Sequence, residues 1–147
     1  GMSASMPSAV ALYGAALCRR DFPLKEVVKY GEIALYLQEK ISCTETEANV
    51  KFLTYGLTFT LAKRPSDCIE PLREGHDSAV RTGDIAHASA CANAITWISF
   101  YSGQRLATVA SVIYQLKTSL SEYKNAMSLV QLRNYRTAVD YCRGWKS

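Results

Sequence analysis

The stretch TGDIAHASACANAITWISFYSGQRL, residues 82–106, decides the fold class of this chain. Apolar side chains between 84 and 101 would point in nearly all directions from a helix, so this helix must be covered on several sides. Gly83 can adopt the left-handed conformation that ends a preceding helix, and Asp84 can cap the next one. Gly103 can end the helix over 84–101 in the same left-handed conformation. The stretch therefore predicts a central helix joined by short turns to two antiparallel neighbours.

Three further segments carry apolar stripes with the alternating three- and four-residue spacing of a helix. The stripes are Val27, Tyr30, Ala34, Leu37 and Ile41; Ile69, Leu72, His76 and Ala79; and Leu106, Val109, Ile113, Leu116 and Leu120. Their first members lie 42 and 37 residues apart, which is the length of one helical hairpin. Other helices are predicted over about 8–20, 44–63 and 84–101, with a last one from about 125. The pattern predicts an all-α fold, an α-α superhelix of about three antiparallel helical hairpins plus a C-terminal helix.

Composition excludes several other classes of protein. Of the 147 residues, 48% are hydrophobic and 20% charged, which excludes a disordered chain and allows a sizeable core. Eight glycines and four prolines are too few for the turns of a β-sandwich. Polar residues interrupt every apolar stretch before the roughly 18 positions that suggest a membrane span. We expect one helical-repeat domain over 1–147, with 1–5 disordered or left from a tag, forming a segment of a larger chain.

The cysteines point to a reducing compartment. Cys18, Cys43, Cys68, Cys91 and Cys142 lie at least 23 residues apart, and no CxxC pair is present. This spacing does not support a structural zinc site. An odd number of cysteines in or beside apolar helical patterns favours reduced and mostly buried thiols. We therefore expect a cytoplasmic protein.

The net charge of +4 is confined to the C-terminal part of the chain. Up to Leu116 there are 11 basic and 11 acidic residues. Beyond it the basic residues are Lys117, Lys124, Arg133, Arg136, Arg143 and Lys146, and the acidic ones are Glu122 and Asp140. Six basic residues over 31 positions do not form a dense run, which favours a solvated helix face. The alternative is a nucleic-acid-binding helical repeat that uses Lys124, Arg133, Arg136 and Arg143, and nucleic acid is the less favoured partner.

Four short segments together resemble a known repeat region. They are EPLREG at 70–75, TGDIAHA at 82–88, FYSGQRL at 100–106 and SLVQLRNYR at 128–136. About half of the chain thus resembles the tetratricopeptide-like array that follows the ATPase domain of large STAND-type or AAA-type signalling proteins. In those proteins the ATPase is fused to sensor histidine kinases, protein kinases or cyclases. The resemblance implies a tetratricopeptide-like fold and a regulatory or scaffolding segment. The chain has no GxxxxGK[ST] loop, so such an ATPase would lie outside these residues.

No motif of a known reaction is present. The chain lacks HExxH, GxSxG and GxGxxG. Asp84 and His87 form only half of a di-iron ligand set. His87 and Cys91 lie one turn apart, yet nothing in the sequence supplies an orienting group for a nucleophile. His76 falls on an apolar stripe and is expected to be a hydrogen-bonded core residue. We therefore predict no enzyme, no catalytic residue, no metal and no cofactor, with a ligand- or metal-binding helical bundle as the remaining alternative.

Aromatic residues on the predicted first helices suggest a contact surface. Asn93, Trp97 and Tyr101 lie at i, i+4 and i+8 of one such helix, and Tyr13 and Tyr55 lie on two others. Tyrosine and tryptophan supply large contact areas at a low entropic cost. The alternative is that these side chains pack in the core. We predict that the five residues bind a protein partner or neighbouring domains of the same chain, and a homodimer is also possible because an open array exposes its terminal helices.

Overall fold

The computed structural model describes residues 3–18, 20, 22–121 and 126–144, and this part of the chain is all-α, as predicted. It contains seven α-helices and no strand. They are α1 (Met6–Leu17), α2 (Leu24–Ile41), α3 (Thr44–Lys51), α4 (Ile69–Thr82), α5 (Ile85–Tyr101), α6 (Leu106–Ser121) and α7 (Ala126–Cys142). A 3₁₀ turn, Pro65–Cys68, leads directly into α4. No helix within the described residues is both long and apolar enough to cross a membrane.

The helix predicted over 44–63 is regular only in its first half. After α3 the chain continues as seven residues of wider π-helix, Phe52–Thr58, and ends in a 3₁₀ turn. The Thr58 hydroxyl donates to the Leu53 carbonyl, five residues earlier, at 3.2 Å. Gly56 allows close packing here, since a Cβ on it would lie 3.2 Å from the Phe52 ring and 3.4 Å from the Ala94 methyl group. Close packing of this segment on its neighbours thus accompanies the departure from α-helical geometry.

Helix starts recur at a constant interval of 41 residues. The helices α3, α5 and α7 begin at Thr44, Ile85 and Ala126. The second set begins at 24, 65 and 106, which are the starts of α2, of the 3₁₀ turn before α4, and of α6. Buried positions follow the same interval: Val27, Cys68 and Val109; Gly31, Leu72 and Ile113; and Ala34, Gly75 and Leu116. The expected intervals of 42 and 37 were unequal because the stripes were counted from positions that are not equivalent. Val27 is equivalent to Cys68 and Val109, whereas the other two stripes were counted from Ile69 and Leu106.

The helices pack as consecutive pairs with additional contacts between alternate members. Each helix contacts the next one along the chain, most extensively α1 with α2 and α4 with α5. In addition α1 contacts α3, α3 contacts α5 and α5 contacts α7. Among the described residues α2 and α4, and likewise α4 and α6, have at most marginal contact. The helix α5 lies at the centre of this arrangement, with buried residues on several sides, as its sequence predicted.

Candidate functional site

The position of α5 is fixed by signals at both of its ends. Gly83 has a φ of 75° and ends α4 in the left-handed conformation. The Asp84 carboxylate then caps α5 by accepting from the His87 backbone N–H at 3.1 Å, and its second oxygen lies 2.6 Å from His87 Nδ1. Gly103, with a φ of 74°, follows the other end. These turns hold α5 between its neighbours, so the face that carries Asn93 and Trp97 has a defined direction.

That face forms one wall of a groove between α5 and α7. Asn93 and Trp97 of α5 line a cavity of about 360 Å³ together with Gln131, Asn134 and Tyr135 of α7. Two of the five predicted contact residues are therefore brought together. The three α7 residues were not predicted from the sequence. Asn93 and Asn134 lie 41 residues apart, the interval at which α5 and α7 begin, and this interval could have identified Asn134.

Aromatic rings extend from this groove towards the end of α5. Trp97 and Tyr101 have ring centroids 6.5 Å apart, and Phe100 packs edge-on against Tyr101 at 5.3 Å. Phe100 also contacts Tyr135 of α7, with centroids 6.0 Å apart. Tyr101 is 72% exposed, whereas Trp97 and Tyr135 are half-buried. Burial raises the pKa of Tyr135, so its hydroxyl keeps its proton at neutral pH. The rings of Trp97, Tyr101 and Tyr135 thus offer a surface for apolar contact beside the amides.

The polar groups of the groove are mostly side-chain amides. Asn93, Gln131 and Asn134 each carry one acceptor and one two-proton donor, the same pair of functions as a peptide unit. The Asn93 Oδ1 atom is buried and has no hydrogen-bond partner within the described part of the chain. An unpaired buried acceptor is costly and calls for a donor. The arrangement can therefore bind a group with peptide-like hydrogen bonding that also has an apolar part.

The other two predicted residues lie elsewhere. Tyr13 is 53% exposed on α1 and packs edge-on against Tyr30 of α2, with ring centroids 5.0 Å apart. Tyr55 lies in the π-helical segment, half-buried against Phe59 at 5.2 Å, and burial raises its pKa. Neither tyrosine lines the groove between α5 and α7. A partner role for these two residues stays a prediction and would require a surface separate from this groove.

The histidines and cysteines offer little for catalysis. His76 is 7% exposed, with Nδ1 3.0 Å from Asp77 Oδ1 and Nε2 3.5 Å from Ser119 Oγ. This order of groups resembles a Ser-His-Asp triad, but the serine contact is at the limit of a hydrogen bond. His76 lines neither the α5–α7 groove nor the larger cavity between α6 and α7. It is buried and hydrogen-bonded, as expected from the sequence. The described residues contain no group of three side chains that could hold a metal ion.

The Cys91 thiol has the opposite character from an activated nucleophile. It is fully buried, and its sulfur lies 3.8 Å from the Ala48 carbonyl oxygen. Burial raises the pKa of Cys91 to about 12, so the reactive thiolate is not populated at neutral pH. His87, one turn away, is instead paired with Asp84. The pairing of His87 with Cys91 that the sequence allowed is therefore not formed.

Thiol labelling should reflect these positions. We expect iodoacetamide to modify exposed Cys142 rapidly in the native protein, while buried Cys68 and Cys91 stay unmodified until the chain unfolds. Mass spectrometry of tryptic peptides after a short pulse measures each site, and the same pulse in denaturant provides the control. Native labelling of Cys91 as fast as that of Cys142 would contradict the packing of α5 against α3.

Comparisons with models of known protein families, with curated proteins and with solved structures find no significant match to this chain.

Proposed function

We propose that this protein is a non-catalytic interaction module built as a tetratricopeptide-like α-α superhelix. Two observations support the proposal: the 41-residue interval between helix starts, and the contacts of each odd-numbered helix with the next. Stacked hairpins of this kind contact only their neighbours, so they present a continuous surface formed by their first helices. In this proposal α1, α3, α5 and α7 are the first helices, and the α5–α7 groove belongs to the surface they form.

In this proposal the groove binds an extended segment of a protein partner. The single observation that carries it is the buried, unpaired Asn93 Oδ1 in a groove walled by further amides and by aromatic rings. In the bound state the Asn93 amide would rotate so that Oδ1 reaches the groove and accepts a backbone N–H of the bound segment. The amides of Gln131 and Asn134 would pair with the next peptide groups, and an apolar side chain would lie against Trp97 and Tyr135. Backbone pairing would supply affinity, and the aromatic wall would select the side chain.

The partner is either a separate protein or another domain of the same polypeptide. The second case corresponds to the resemblance to arrays attached to STAND-type or AAA-type ATPases in signalling proteins. Binding in the groove would stabilise the stacked helices by mass action and so restrain neighbouring domains. The five free cysteines support a reducing, cytoplasmic location for this interaction.

Replacing Trp97 by alanine should weaken peptide binding about tenfold or more, because the ring is the largest apolar surface of the groove. The ligands for this test are peptides selected from a displayed random library on the wild-type protein, and fluorescence anisotropy measures their dissociation constants. Since Trp97 is half-buried and contacts the core, exposed Asn134→Ala serves as a second variant and should weaken binding severalfold without unfolding.

Tyr36→Ala is the matched control, because Tyr36 is 58% exposed on α2 and does not line the groove. It should leave peptide binding unchanged. Circular dichroism of all three variants verifies that they are folded. Selection of no peptide above background, or of peptides that bind Trp97→Ala and Asn134→Ala as tightly as wild type, would reject the proposed site.

A further inference from the structure

A cavity lies between α6 and α7, on a different face of α7 from the amide groove. It measures about 490 Å³, and its lining comprises Ile113, Tyr114, Lys117, Leu129, Val130, Leu132, Arg133, Arg136 and Thr137. Buried Ile113 and Leu132 form its floor. Tyr114 and Val130 are 68% and 53% exposed, so a substantial apolar surface faces solvent. Apolar surface of this kind, bordered by charges, is typical of an interaction site.

Basic side chains border this apolar surface from both helices. Lys117 lies on α6, and Arg133 and Arg136 lie one turn apart on α7. Arg136 is oriented by Asp140, whose Oδ2 accepts from Arg136 Nε at 2.8 Å, and this pair offsets one of the three charges. Lys117 and Arg133 form no ion pair within the residues that the structure describes, and both are exposed. The excess positive charge of the sequence lies in this part of the chain, and three of its six basic residues line the cavity. Lys124 and Lys146 lie outside the described residues.

The shape and chemistry of the cavity distinguish it from the amide groove. Its walls provide apolar surface and cationic donors, and of its two hydroxyls, on Tyr114 and Thr137, that of Thr137 already donates to the Arg133 carbonyl at 3.0 Å. A partner here would find few groups to pair with an open peptide backbone. A helix satisfies its own backbone hydrogen bonds and can pack into the groove between two others. Such a helix would need a stripe of apolar side chains to contact the floor of the cavity and carboxylates to pair with the basic residues at its rim.

We propose that this cavity binds an acidic amphipathic helix of a partner protein. Leucine-like residues of that helix would cover Tyr114, Val130 and the floor, and Glu or Asp residues on either side of the stripe would pair with Lys117 and Arg133. Charge complementarity selects this occupant over a basic or neutral helix. Nucleic acid fits less well, because three cations, one already paired, surround a mainly apolar surface, whereas nucleic-acid sites are polar and strongly positive.

The test selects helical peptides on the whole protein and then exchanges charges across the interface. A displayed library of helix-forming peptides, randomised on one face, should yield sequences with an apolar stripe flanked by Glu or Asp. Lys117→Glu combined with Arg133→Glu should weaken a selected peptide about tenfold or more. A peptide with its acids changed to Lys should bind the double variant better than it binds the wild type. Exposed Val130→Ser should weaken binding without changing the charge preference.

The control is Lys25→Glu combined with Arg105→Glu, which changes the net charge equally at exposed positions outside the cavity. It should leave peptide binding unchanged. Arg136 is not used, because reversing it would also break its pair with Asp140. The proposal would be overturned if the selected peptides contain no acidic residues, or if their affinity is unchanged by the Lys117→Glu/Arg133→Glu double substitution.

Two further measurements test the other possible occupants. A fluorescent single-stranded RNA or duplex DNA that binds at low salt, and is released by the Lys117/Arg133 reversal, would assign the cavity to nucleic acid instead. Sedimentation velocity at increasing protein concentration would reveal a second copy as the occupant, if a dimer forms and the same reversal or Val130→Ser abolishes it. Either result would overturn the helix proposal. Both tests concern a surface distinct from the α5–α7 groove, so this proposal can fail while the peptide groove stands.

Discussion

Replacement of Phe59 by alanine is expected to lower the free energy of unfolding by about 3–5 kcal/mol. Phe59 is 1% exposed and follows the π-helical segment, where α2 and the chain after α3 meet. Its ring packs edge-on against Tyr55, and the Lys63 ammonium lies 3.8 Å from its centroid. The ring also fills the space above Gly31, because a Cβ on that glycine would lie 2.7 Å from Phe59 Cε1. Removing the ring leaves a cavity between α2 and the chain after α3, and these two segments cannot readily move together to close it.

Urea unfolding followed by circular dichroism measures this loss of stability. Phe22→Ala is the matched control, since Phe22 is 49% exposed, and it should change stability by no more than about 0.5 kcal/mol. A loss below about 1 kcal/mol for Phe59→Ala would show that Phe59 does not pack in the core as described.

A double-mutant cycle with Gly31 tests the specific contact. In the wild type, Gly31→Ala gains helix propensity but forces its new methyl group against a buried ring, which costs about 1–3 kcal/mol. In Phe59→Ala the ring is absent, and the Thr54 methyl group, 3.0 Å from the added Cβ, is the close contact that remains. Gly31→Ala should therefore be better tolerated in that background, with a coupling energy of about 1 kcal/mol or more. Additive effects of the two substitutions would argue against the contact.

Local signals in the sequence were sufficient to predict the helices and their turns. Gly83 and Asp84 act as the predicted end of α4 and cap of α5, because their backbone and side-chain chemistry needs no distant partner. The π-helical segment Phe52–Thr58 could not be predicted in this way. Its apolar spacing fits an ordinary helix, and its wider turns accompany contacts such as that of Gly56 with Ala94, which exist only in the folded chain.

The site was predictable only where one helix contains it. Asn93 and Trp97 were identified because they share a face of α5, whatever packs around it. Because α5 is apolar nearly all round, its sequence does not show which of its faces remains uncovered by other helices. The contribution of Asn134 depends on α7 stacking against α5 at the 41-residue interval, which the unequal stripes concealed. Tyr55 is predicted to extend the same surface from another first helix, and the structure packs its ring against Phe59, outside the groove.

A polar network between α3 and α4 should be the second large contributor to stability. The Lys51 ammonium lies 2.8 Å from a Glu47 oxygen and 2.7 Å from a Glu74 oxygen, and Ser78 donates to Glu47 at 2.7 Å. The Lys51 and Glu47 side chains are only 15% and 26% exposed, whereas Glu74 is 59% exposed. Lys51→Met keeps most of the packing and leaves the carboxylates without their cation. We expect a loss of about 2 kcal/mol, below the cost for a fully buried pair because Glu74 remains hydrated.

Lys29→Met provides the control for this substitution. Lys29 pairs with Glu26 at the same distance of 2.8 Å, but both side chains are about half exposed, 55% and 46%. Exposed pairs contribute little, so this variant should lose less than about 0.5 kcal/mol. Equal losses for the two lysines would show that burial does not strengthen the Lys51 network.

The pH dependence of the Lys51→Met effect identifies its electrostatic part. Burial is the largest single effect and opposes the charged forms of Glu47 and Lys51. The hydrogen bonds and charges around them together outweigh it: Lys51, Ser78 and Arg81 lower the pKa of Glu47, and Glu47 and Glu74 raise that of Lys51. The carboxylate therefore stabilises the fold above its ordinary pKa of 4.5, and this contribution is lost as pH falls through the lowered value. The lysine contribution is present below its ordinary pKa of 10.5 and is lost only as pH rises through the raised value.

Without Lys51, only Ser78 and Arg81 offset the burial of the charged Glu47 carboxylate, so acid should weaken the variant less than it weakens the wild type. The stability difference between the two proteins should thus be constant from about pH 6 to 9 and shrink as pH falls below about 4.5 through the lowered pKa of Glu47. Urea unfolding at each pH measures it, with Lys29→Met measured beside it as the reference. A difference that stays the same down to about pH 3 would assign the loss to the packing of the lysine's methylene groups, since only the charge network depends on ionised carboxylates.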